Sequence, residues 1–281
     1  MPSIHTLAHH ATDYLRSKGV ARARYVAEGL LAKLLKTNPL EFYLGNNSVI
    51  KGEMFDTYLT WIKRRGRGEP FEYIVGEIDF FDCRLRTTHG VFIPRQETEI
   101  LATLILEEIS GMERGILWDL CTGSGCLGLS LKKKRPDLKV TLSDLYEGPI
   151  ACAKHNATEN TLDVTIVQGD LLAPFSGDKA DIIVCNPPYV TEKEYALLEN
   201  SVRLYEPKEA LVGGLSYYVS LAKELPAYLN PGAKVFFEIG KDQGRDLHQI
   251  FNKGCWRRRQ CRKDWAGHDR FFSLEFNKIL G

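Results

Sequence analysis

The chain has 281 residues, of which 44% are hydrophobic and 26% are charged, a composition that is ordinary for a globular protein. Its 37 basic and 36 acidic residues leave a net charge of +1, which gives no overall attraction to nucleic acid. The seven cysteines are odd in number and form no C-x-x-C pair, which favours thiols in a reducing compartment over disulfides or structural zinc. With no signal-peptide pattern and no apolar run of about 18 residues, we expect a cytoplasmic protein without a membrane or metal partner.

The first part of the chain has the periodicity of helices. Three stretches carry apolar residues at a spacing of three to four, which predicts amphipathic helices. Ser3 is a suitable N-cap for the first of them and Gly19 a suitable end. The helices are expected at residues 4–15, 26–34 and about 53–63. We therefore predict a small helical domain over residues 1–72, followed by an extended, hairpin-like linker over residues 73–92.

From residue 115 onward the pattern changes to alternating strands and helices. The expected strands are 116–120, 140–142, 164–167, 180–185, 234–239, 256–262 and 271–276, and the expected helices are 127–134, 149–160, 217–229 and 243–251. Such alternation predicts an α/β domain, here residues 93–281, with a mostly parallel, doubly wound sheet. Ligands of such sheets bind at the carboxyl ends of the strands.

A glycine-rich loop follows the first of these strands. Gly123, Gly125 and Gly128 allow the backbone to turn tightly and to approach a ligand, and the following helix offers free N–H groups. Asp144 ends the next strand, where its carboxylate can accept hydrogen bonds from two ribose hydroxyls. The spacing also satisfies the dinucleotide pattern, so an NAD enzyme remains an alternative, as do glycines that serve packing alone.

The stretch Asn186-Pro187-Pro188-Tyr189 follows the buried strand expected at 180–185. The prolines lack N–H groups, so this segment presents the Asn186 side-chain oxygen and free carbonyls without a main-chain donor at either proline. Such acceptors suit a planar NH2 group, and Tyr189 adds a flat face for a planar substrate. Together with the closing strand pair, this stretch favours a nucleoside ligand without a pyrophosphate, such as S-adenosyl-L-methionine. A loop that merely ends a strand is the alternative.

Distinctive motifs lie along nearly the whole chain. They are Gly-Glu-Pro-Phe-Glu-Tyr-Ile-Val-Gly at 68–76, Phe-Ile-Pro-Arg-Gln-Glu-Thr-Glu at 92–99, the glycine loop, Asn-Pro-Pro-Tyr at 186–189, Arg-Leu-Tyr-Glu-Pro at 203–207, Phe-Glu-Ile-Gly at 237–240 and the stretch 264–276. Through these motifs the chain resembles the HemK/PrmC family, the release-factor glutamine N5-methyltransferases. The Asn-Pro-Pro-Tyr motif alone is shared with amino-methylating enzymes of DNA, RNA and protein.

The resemblance implies a Rossmann-like class I S-adenosylmethionine-dependent methyltransferase with a seven-stranded, mostly parallel sheet whose last strand is antiparallel. It also implies that the small N-terminal helical domain helps to dock a class I peptide chain release factor. The cofactor contacts that it implies are Cys121, Thr122, Gly123, Ser124, Gly125, Asp144, Asp170, Leu171 and Asn186, and residues 186–189 would hold the glutamine. Two residues depart from the family: Cys121 replaces a loop glycine, and Leu171 stands where some relatives place an aromatic ring against adenine.

The implied reaction moves a methyl group from a sulfonium to the N5 nitrogen of a glutamine in a Gly-Gly-Gln motif. An amide nitrogen is a poor nucleophile because its lone pair is delocalised into the carbonyl. The Asn186 oxygen and the Pro187 carbonyl would accept both N–H hydrogens, orienting the nitrogen and stabilising the positive charge that develops on it. Tyr189 would pack on the amide plane. Asn186, Pro187 and Tyr189 are therefore the predicted catalytic residues, and Pro188 joins them in the predicted substrate site.

Three charged residues of the 92–99 motif are expected to order the rim of the site. They are Arg95, Glu97 and Glu99, of which Arg95 and Glu97 are predicted to bind substrate. Salt bridges on a domain linker are the alternative interpretation.

Three other functions remain open at this point. An adenine- or guanine-amino methyltransferase would use the same acceptors on a flipped base, but the near-neutral charge and the lack of an evident target-recognition domain argue against it. A non-catalytic methyltransferase-like binding module is a second alternative, kept open by Cys121. An NAD oxidoreductase, the third, would need a nicotinamide site that the sequence does not reveal. We therefore expect a release factor as partner and no direct contact with nucleic acid.

Overall fold

The computed structural model describes residues 3–38 and 50–277. Its helices are α1 Ile4–Ser17, α2 Ala23–Leu35, α3 Glu53–Gly66, α4 Phe71–Val75, α5 Gln96–Glu108, α6 Cys126–Lys134, α7 Glu147–Glu159, α8 Glu192–Tyr195, α9 Asn200–Tyr205, α10 Ser216–Glu224 and α11 Gly244–Ile250. Its strands are β1 Glu77–Phe80, β2 Cys83–Arg86, β3 Ile116–Leu120, β4 Lys139–Asp144, β5 Thr165–Gln168, β6 Ala180–Cys185, β7 Leu229–Glu238, β8 Trp256–Lys263 and β9 Asp269–Phe276. In the described part of the chain, every helix is too short or too polar to cross a lipid bilayer.

Two compact units make up the chain. The first comprises the residues up to Glu77 together with the segment Glu199–Tyr205, and the second comprises Ile78–Leu198 together with the residues from Glu206 onward. The first unit thus takes up a short segment, α9, that lies far along the sequence. The predicted domain boundaries at residues 72 and 92 stay a prediction, and these units differ from them by a few residues and by α9.

The first unit is helical, as the periodicity of its apolar residues predicts. Ser3 caps α1, since its hydroxyl oxygen accepts a hydrogen bond from the Thr6 N–H at 3.2 Å. The apolar faces of α1, α2 and α3 share one core, in which the buried Tyr58 hydroxyl donates to the Ala27 carbonyl at 3.0 Å. The linker prediction was wrong in one place: residues 73–75 are helical and belong to α4. The expected hairpin is formed by β1 and β2.

The second unit contains a seven-stranded sheet with the strand order β5-β4-β3-β6-β7-β9-β8. All pairs are parallel except those of β9, which runs antiparallel between β7 and β8. The predicted sheet with an antiparallel last strand is confirmed. One helix boundary was wrong, because the helix expected at 217–229 ends at Glu224. Pro226 has no N–H with which to continue the helix, and Leu229 already begins β7.

Apolar residues on both faces of the sheet explain why its central strands are buried. Successive side chains of a strand point to opposite faces. In β6, Ile182 and Val184 pack into the core on one face, while Ile183 and Cys185 pack into the core on the other. All four are completely buried. Helices therefore cover both faces of the sheet. This packing holds the central strands in place, and with them the strand ends at which the site lies.

Two asparagines, Asn156 on α7 and Asn160 at its end, bond to β2 of the hairpin within the second unit. Asn156 accepts a hydrogen bond from the Arg86 N–H at 2.7 Å and donates to the Ser124 carbonyl at 2.8 Å. Asn160, one turn later, accepts from the Arg84 N–H at 3.1 Å and donates to the Arg84 carbonyl at 2.8 Å. The side chain of Asn156 is therefore shared between β2 and the glycine loop, whereas that of Asn160 bonds to β2 and to the end of α7 but not to the loop.

We predict that Asn156→Ala lowers the free energy of unfolding by about 2–4 kcal/mol, since it leaves the Arg86 N–H and the Ser124 carbonyl without partners in a buried place. Denaturant titration measures this loss. Asn160→Ala is the matched control, because its partners can turn to water, and it should cost about 1 kcal/mol or less. Equal losses from the two substitutions would contradict the role given to Asn156.

Candidate active site

A cavity of about 410 Å³ lies at the carboxyl ends of β3, β4 and β6, within the second unit. Parallel pairing sets Leu120, the last residue of β3, opposite Ser143 of β4 and Cys185 of β6. The segments that leave these three strands therefore start side by side. This is the edge of the sheet at which the alternating sequence pattern predicted a ligand.

Most of the predicted site residues line this cavity. They are Cys121, Thr122, Gly123, Ser124, Asp144, Asp170, Leu171, Asn186, Pro187, Pro188 and Tyr189. Among the described residues assigned to the site, Gly125, Arg95 and Glu97 lie outside the cavity wall. Gly125 precedes α6 in a left-handed conformation with φ 83°. The individual roles of all these residues stay predictions.

Hydrogen bonds hold the glycine loop against the end of β4. The Thr122 N–H donates to the Ser143 carbonyl at 3.0 Å, and the Gly123 N–H donates to Asp144 Oδ2 at 2.9 Å. Gly128, in the first turn of α6, is needed for close packing: a Cβ atom there would lie 2.1 Å from a methyl carbon of Leu142. The glycine pattern therefore brings helix, strand and loop together at the cavity.

The Asp144 carboxylate faces the cavity and is itself held by the backbone. Its Oδ1 accepts a hydrogen bond from the Tyr146 N–H at 3.1 Å, and its Oδ2 is the atom bound by Gly123. Burial raises the pKa of Asp144, and the backbone N–H groups oppose that rise. Each oxygen has a second lone pair with which it can accept a hydroxyl hydrogen.

A second carboxylate, Asp119, lies beneath the loop and is almost fully buried. Its Oδ2 accepts hydrogen bonds from the Thr122 hydroxyl at 2.6 Å and from the Gly128 N–H at 2.9 Å. Burial raises the pKa of Asp119 to about 7, while these two hydrogen bonds act in the opposite direction. Asp119 therefore joins the two ends of the loop. Holding its carboxyl group out of water costs free energy.

The two residues that depart from the family pattern both have left-handed backbones. Cys121 has φ 55° and Leu171 has φ 42°. This region favours glycine, so a family glycine at the position of Cys121 has a clear physical reason. Both side chains line the cavity, where Cys121 narrows the space beside the loop and Leu171 offers an aliphatic surface in place of a ring.

The segment 186–189 presents acceptors to the cavity. Among the described residues, no donor bonds to the Asn186 side chain or to the Pro187 carbonyl, and both residues line the cavity. Val190, the next residue, is fixed by its N–H, which donates to the Leu211 carbonyl at 2.8 Å, and by its carbonyl, which accepts from the Gly213 N–H at 3.0 Å. The segment is therefore anchored beyond Tyr189, while its acceptors remain available for a ligand.

The charged residues of the 92–99 motif do not act together. Arg95 forms an ion pair with Glu206 and lies over the Phe92 ring, 4.6 Å from its centre. Glu206 also accepts from the Ile93 N–H at 3.2 Å, so it orders the loop that leads to α5. Glu99 instead accepts from the Phe81 N–H at 2.9 Å and holds the hairpin. The expectation that Glu99 orders the rim was therefore wrong, because its carboxylate points to the hairpin.

Several residues of the cavity wall were missed by the sequence reasoning. They are Phe92, Thr98, Asp119, Leu145, Tyr146, Pro149 and Tyr217. Leu145 and Tyr146 directly follow Asp144 at the carboxyl end of β4, and this position is a signal that the sequence does offer. Tyr217 lies within α10 and has no local signal, because only the fold brings that helix to the cavity.

The chemistry of the wall fits the nucleoside part of S-adenosylmethionine. Apolar side chains dominate. Of the two buried carboxylates in the wall, Asp119 is engaged by Thr122 and Gly128, whereas Asp144 is in position to accept from hydroxyl groups. None of the described residues that line the cavity is Lys, Arg or His.

A solved structure with a similar fold is a methyltransferase. The T. Thermophilus 16S rRNA N2 G1207 methyltransferase, in complex with AdoMet and guanosine, matches with a TM-score of 0.53 and 18% identity, over 72% of this chain and 50% of that one. At this identity the likeness shows the fold alone. Residues 82–216 also match the family model of the methyltransferase small domain. The protein is thus an S-adenosylmethionine-dependent methyltransferase with the class I fold.

Comparison of sequences narrows the class to one family. Residues 6–76 match the family model of the PrmC N-terminal domain. A release factor glutamine methyltransferase of Chlamydia trachomatis is 39% identical, over 96% of this chain and 93% of its own. The protein of that name in Thermodesulfovibrio yellowstonii is 35% identical, over 90% of this chain and 93% of its own. The chain therefore belongs to the release factor glutamine methyltransferase family, which sets aside the NAD oxidoreductase.

The raised pKa of Asp119 predicts how stability depends on pH. Between the ordinary value of 3.8 and about 7, the folded protein binds a proton that the unfolded chain releases, so stability falls as pH rises through this window. In Asp119→Asn the amide oxygen can still accept from Thr122 and Gly128, but nothing titrates. Denaturant unfolding at pH 5 and pH 8 should therefore show the wild type losing more stability than Asp119→Asn. Parallel losses in the two proteins would contradict the raised pKa.

Proposed function

We propose that this enzyme transfers a methyl group from S-adenosylmethionine to the N5 nitrogen of the glutamine in the Gly-Gly-Gln motif of class I peptide chain release factors. The observation that carries the proposal is the pair of acceptors in the cavity wall, the Asn186 side-chain oxygen and the Pro187 carbonyl, which no donor of the described chain satisfies. A primary carboxamide has two N–H hydrogens that such a pair can accept. Relatives that carry this name support the substrate.

Binding both hydrogens does two things for the reaction. It turns the nitrogen toward the methyl donor, and it stabilises the positive charge that grows on the nitrogen as its lone pair is used. The prolines help because neither has a backbone N–H that would repel the incoming amide hydrogens. A base is not needed before transfer, because the N-methylated cation is acidic enough to lose its proton afterwards.

The cofactor half of the cavity is assigned to β3 and β4. S-adenosylmethionine supplies an electrophilic methyl group on a sulfonium sulfur. Asp144 is the residue proposed to accept the ribose hydroxyls, and the glycine loop from Cys121 to Gly125 and the aliphatic side chain of Leu171 would enclose the nucleoside. The mainly apolar wall excludes water from the reacting atoms, which strengthens every hydrogen bond made there.

The partner is proposed to be a folded protein. The first unit, which includes the match to the PrmC N-terminal domain, is proposed to dock the release factor. Arg95 and Glu97 are proposed to contact substrate near the cavity, although neither lines its wall. The cytoplasm is the proposed site of action, supported by seven cysteines that are all free thiols.

Asn186→Ala should lower the rate of methyl transfer about a hundredfold, because it removes one of the two acceptors that matter most as charge develops. Its affinity for S-adenosylmethionine, measured by calorimetry, should fall much less. Asn230→Ala is the matched control, since Asn230 lies on β7 beside β6 but donates to Asp181 at 2.8 Å, at the opposite end of the sheet. That variant should transfer methyl at the wild-type rate.

The opposite pattern is expected for Asp144→Asn. Its one oxygen can still accept from the Gly123 N–H, but its NH2 group can accept neither from the Tyr146 N–H nor from a ribose hydroxyl. Its affinity for S-adenosylmethionine should fall by about 1.5–3 kcal/mol, with a smaller effect on turnover at saturating cofactor. If both variants lost affinity and rate together, the two halves of the cavity could not have separate tasks.

The proposed function is tested by offering labelled S-adenosylmethionine with a purified release factor, total RNA and DNA in separate reactions. Label should appear on the release factor and be lost when the glutamine of its Gly-Gly-Gln motif is changed to glutamate, since a carboxylate has neither an N–H to donate nor a nucleophilic nitrogen. Label on RNA or DNA with none on the release factor would favour an exocyclic-amino methyltransferase instead.

A further inference from the structure

Tyr189 is fixed at both of its ends. Its hydroxyl donates to Glu238 Oε1 at 3.1 Å, and its carbonyl accepts from Gln243 Nε2 at 3.0 Å. Gln243 is itself held, because its Oε1 accepts from the Gly240 N–H at 2.8 Å. The ring of Tyr189, which lines the cavity, is thereby prevented from turning about its side-chain torsions.

Glu238, which receives the hydroxyl of Tyr189, is the last residue of β7 and only 1% exposed. Its other oxygen, Oε2, accepts from the Thr98 hydroxyl at 2.7 Å. Thr98, at the start of α5, also lines the cavity, whereas Glu238 does not. One buried carboxylate thus binds two hydroxyl groups of the cavity wall that come from distant parts of the sequence.

Arg270 places a positive charge near Glu238 and the Tyr189 hydroxyl. It follows the start of β9, beside the residue that pairs with Glu238, and its guanidinium donates to the Ile239 carbonyl at 3.2 Å and to Asp264 Oδ2 at 3.2 Å. Burial raises the pKa of Glu238, and the two hydroxyl groups and the charge of Arg270 oppose that rise. The motifs Phe-Glu-Ile-Gly and 264–276, which the reaction itself does not use, therefore meet behind Tyr189.

A carboxylate at this position is not explained by stability. Burying a carboxyl group costs free energy even when it is hydrogen-bonded, and an apolar side chain would fill the end of β7 at less cost. The two residues before it, Phe236 and Phe237, are apolar and buried. The carboxylate instead fixes two positions, because its two oxygens determine where the hydroxyl groups of Tyr189 and Thr98 lie.

We propose that Glu238 is the positioning residue of the acceptor site: by binding the Tyr189 hydroxyl it holds the ring as a fixed face against which the substrate carboxamide lies. This inference rests on the proposed function of the same cavity. Displacing a substrate by about 1 Å from its reactive position can cost about a hundredfold in rate, so even a partly released ring should slow transfer.

A double-mutant cycle tests the inference with wild type, Tyr189→Phe, Glu238→Leu, whose side chain has no acceptor for the Tyr189 hydroxyl, and the double variant, all with a release factor as substrate. Each single substitution should lower kcat about tenfold, with little change in the affinity for S-adenosylmethionine. The double variant should be hardly slower than the singles, because both remove the same hydrogen bond. Losses of kcat that multiply in the double variant would overturn the proposal.

Tyr218→Phe is the matched control. The buried Tyr218 hydroxyl donates to the backbone carbonyl of the same residue, Glu238, at 2.7 Å, and Tyr218 does not line the cavity. This variant should melt at a lower temperature but keep kcat and KM. If it slowed transfer as much as Tyr189→Phe does, a general loosening of β7 would explain the data and the positioning role would fail.

Two further outcomes are decisive. Should Glu238→Leu fail to fold, Tyr189→Phe still removes the hydrogen bond between Tyr189 and Glu238, and an unchanged kcat in that folded variant overturns the inference. A wild-type enzyme that transfers no methyl to the release factor overturns the proposed function and with it this inference. If the wild type transfers methyl to the release factor but the losses of kcat multiply in the double variant, the inference about Glu238 fails while the proposed function stands.

Discussion

The parallel pairing of β3 with β4 on one side and with β6 on the other is the constraint on which the site depends. It sets Leu120 level with Ser143 and Cys185, so the glycine loop, the end of β4 and the Asn-Pro-Pro-Tyr segment leave the sheet side by side. A slip of one residue in either pairing would turn the buried side chains of a strand to the other face. Because both faces of β6 are packed with apolar residues, the core resists that slip.

The two halves of the cavity handle hydrogen bonds in opposite ways. On the side of β3 and β4, backbone N–H groups converge on the carboxylates of Asp119 and Asp144, and so they shape a loop around a ligand. On the side of β6, the prolines have no N–H groups, and the acceptors of Asn186 and Pro187 receive no hydrogen bond from residues 3–38 and 50–277. A methyl donor would then bind in the first half and an amide in the second, and neither ligand would suit the half of the other. The buried Glu238 adds a support behind the second half.

Local sequence predicted the parts of this site that local chemistry determines. Strand ends followed by Gly-rich, Asp or Asn-Pro-Pro sequence could be recognised directly, and their meeting follows from parallel pairing. The shared bonds of Asn156 and the ion pair of Arg95 with Glu206 could not be foreseen, since their partners are 70 and 111 residues away. Tyr217 reaches the cavity only through the packing of α10. The helix expected to reach Leu229 shows a different limit, because apolar periodicity continued past Pro226 while the backbone could not.

The central claim is that this edge of the sheet accepts a carboxamide nitrogen, and the chemistry of the product tests it most directly. After reaction with labelled S-adenosylmethionine, the release factor is digested, the labelled peptide is hydrolysed in acid, and the labelled small molecule that is released is identified. An N5-methylated glutamine yields labelled methylamine from the peptide that contains Gly-Gly-Gln, which is the predicted result. Labelled methanol, which comes from a methyl ester on a carboxylate, or methylamine from another peptide would contradict the account.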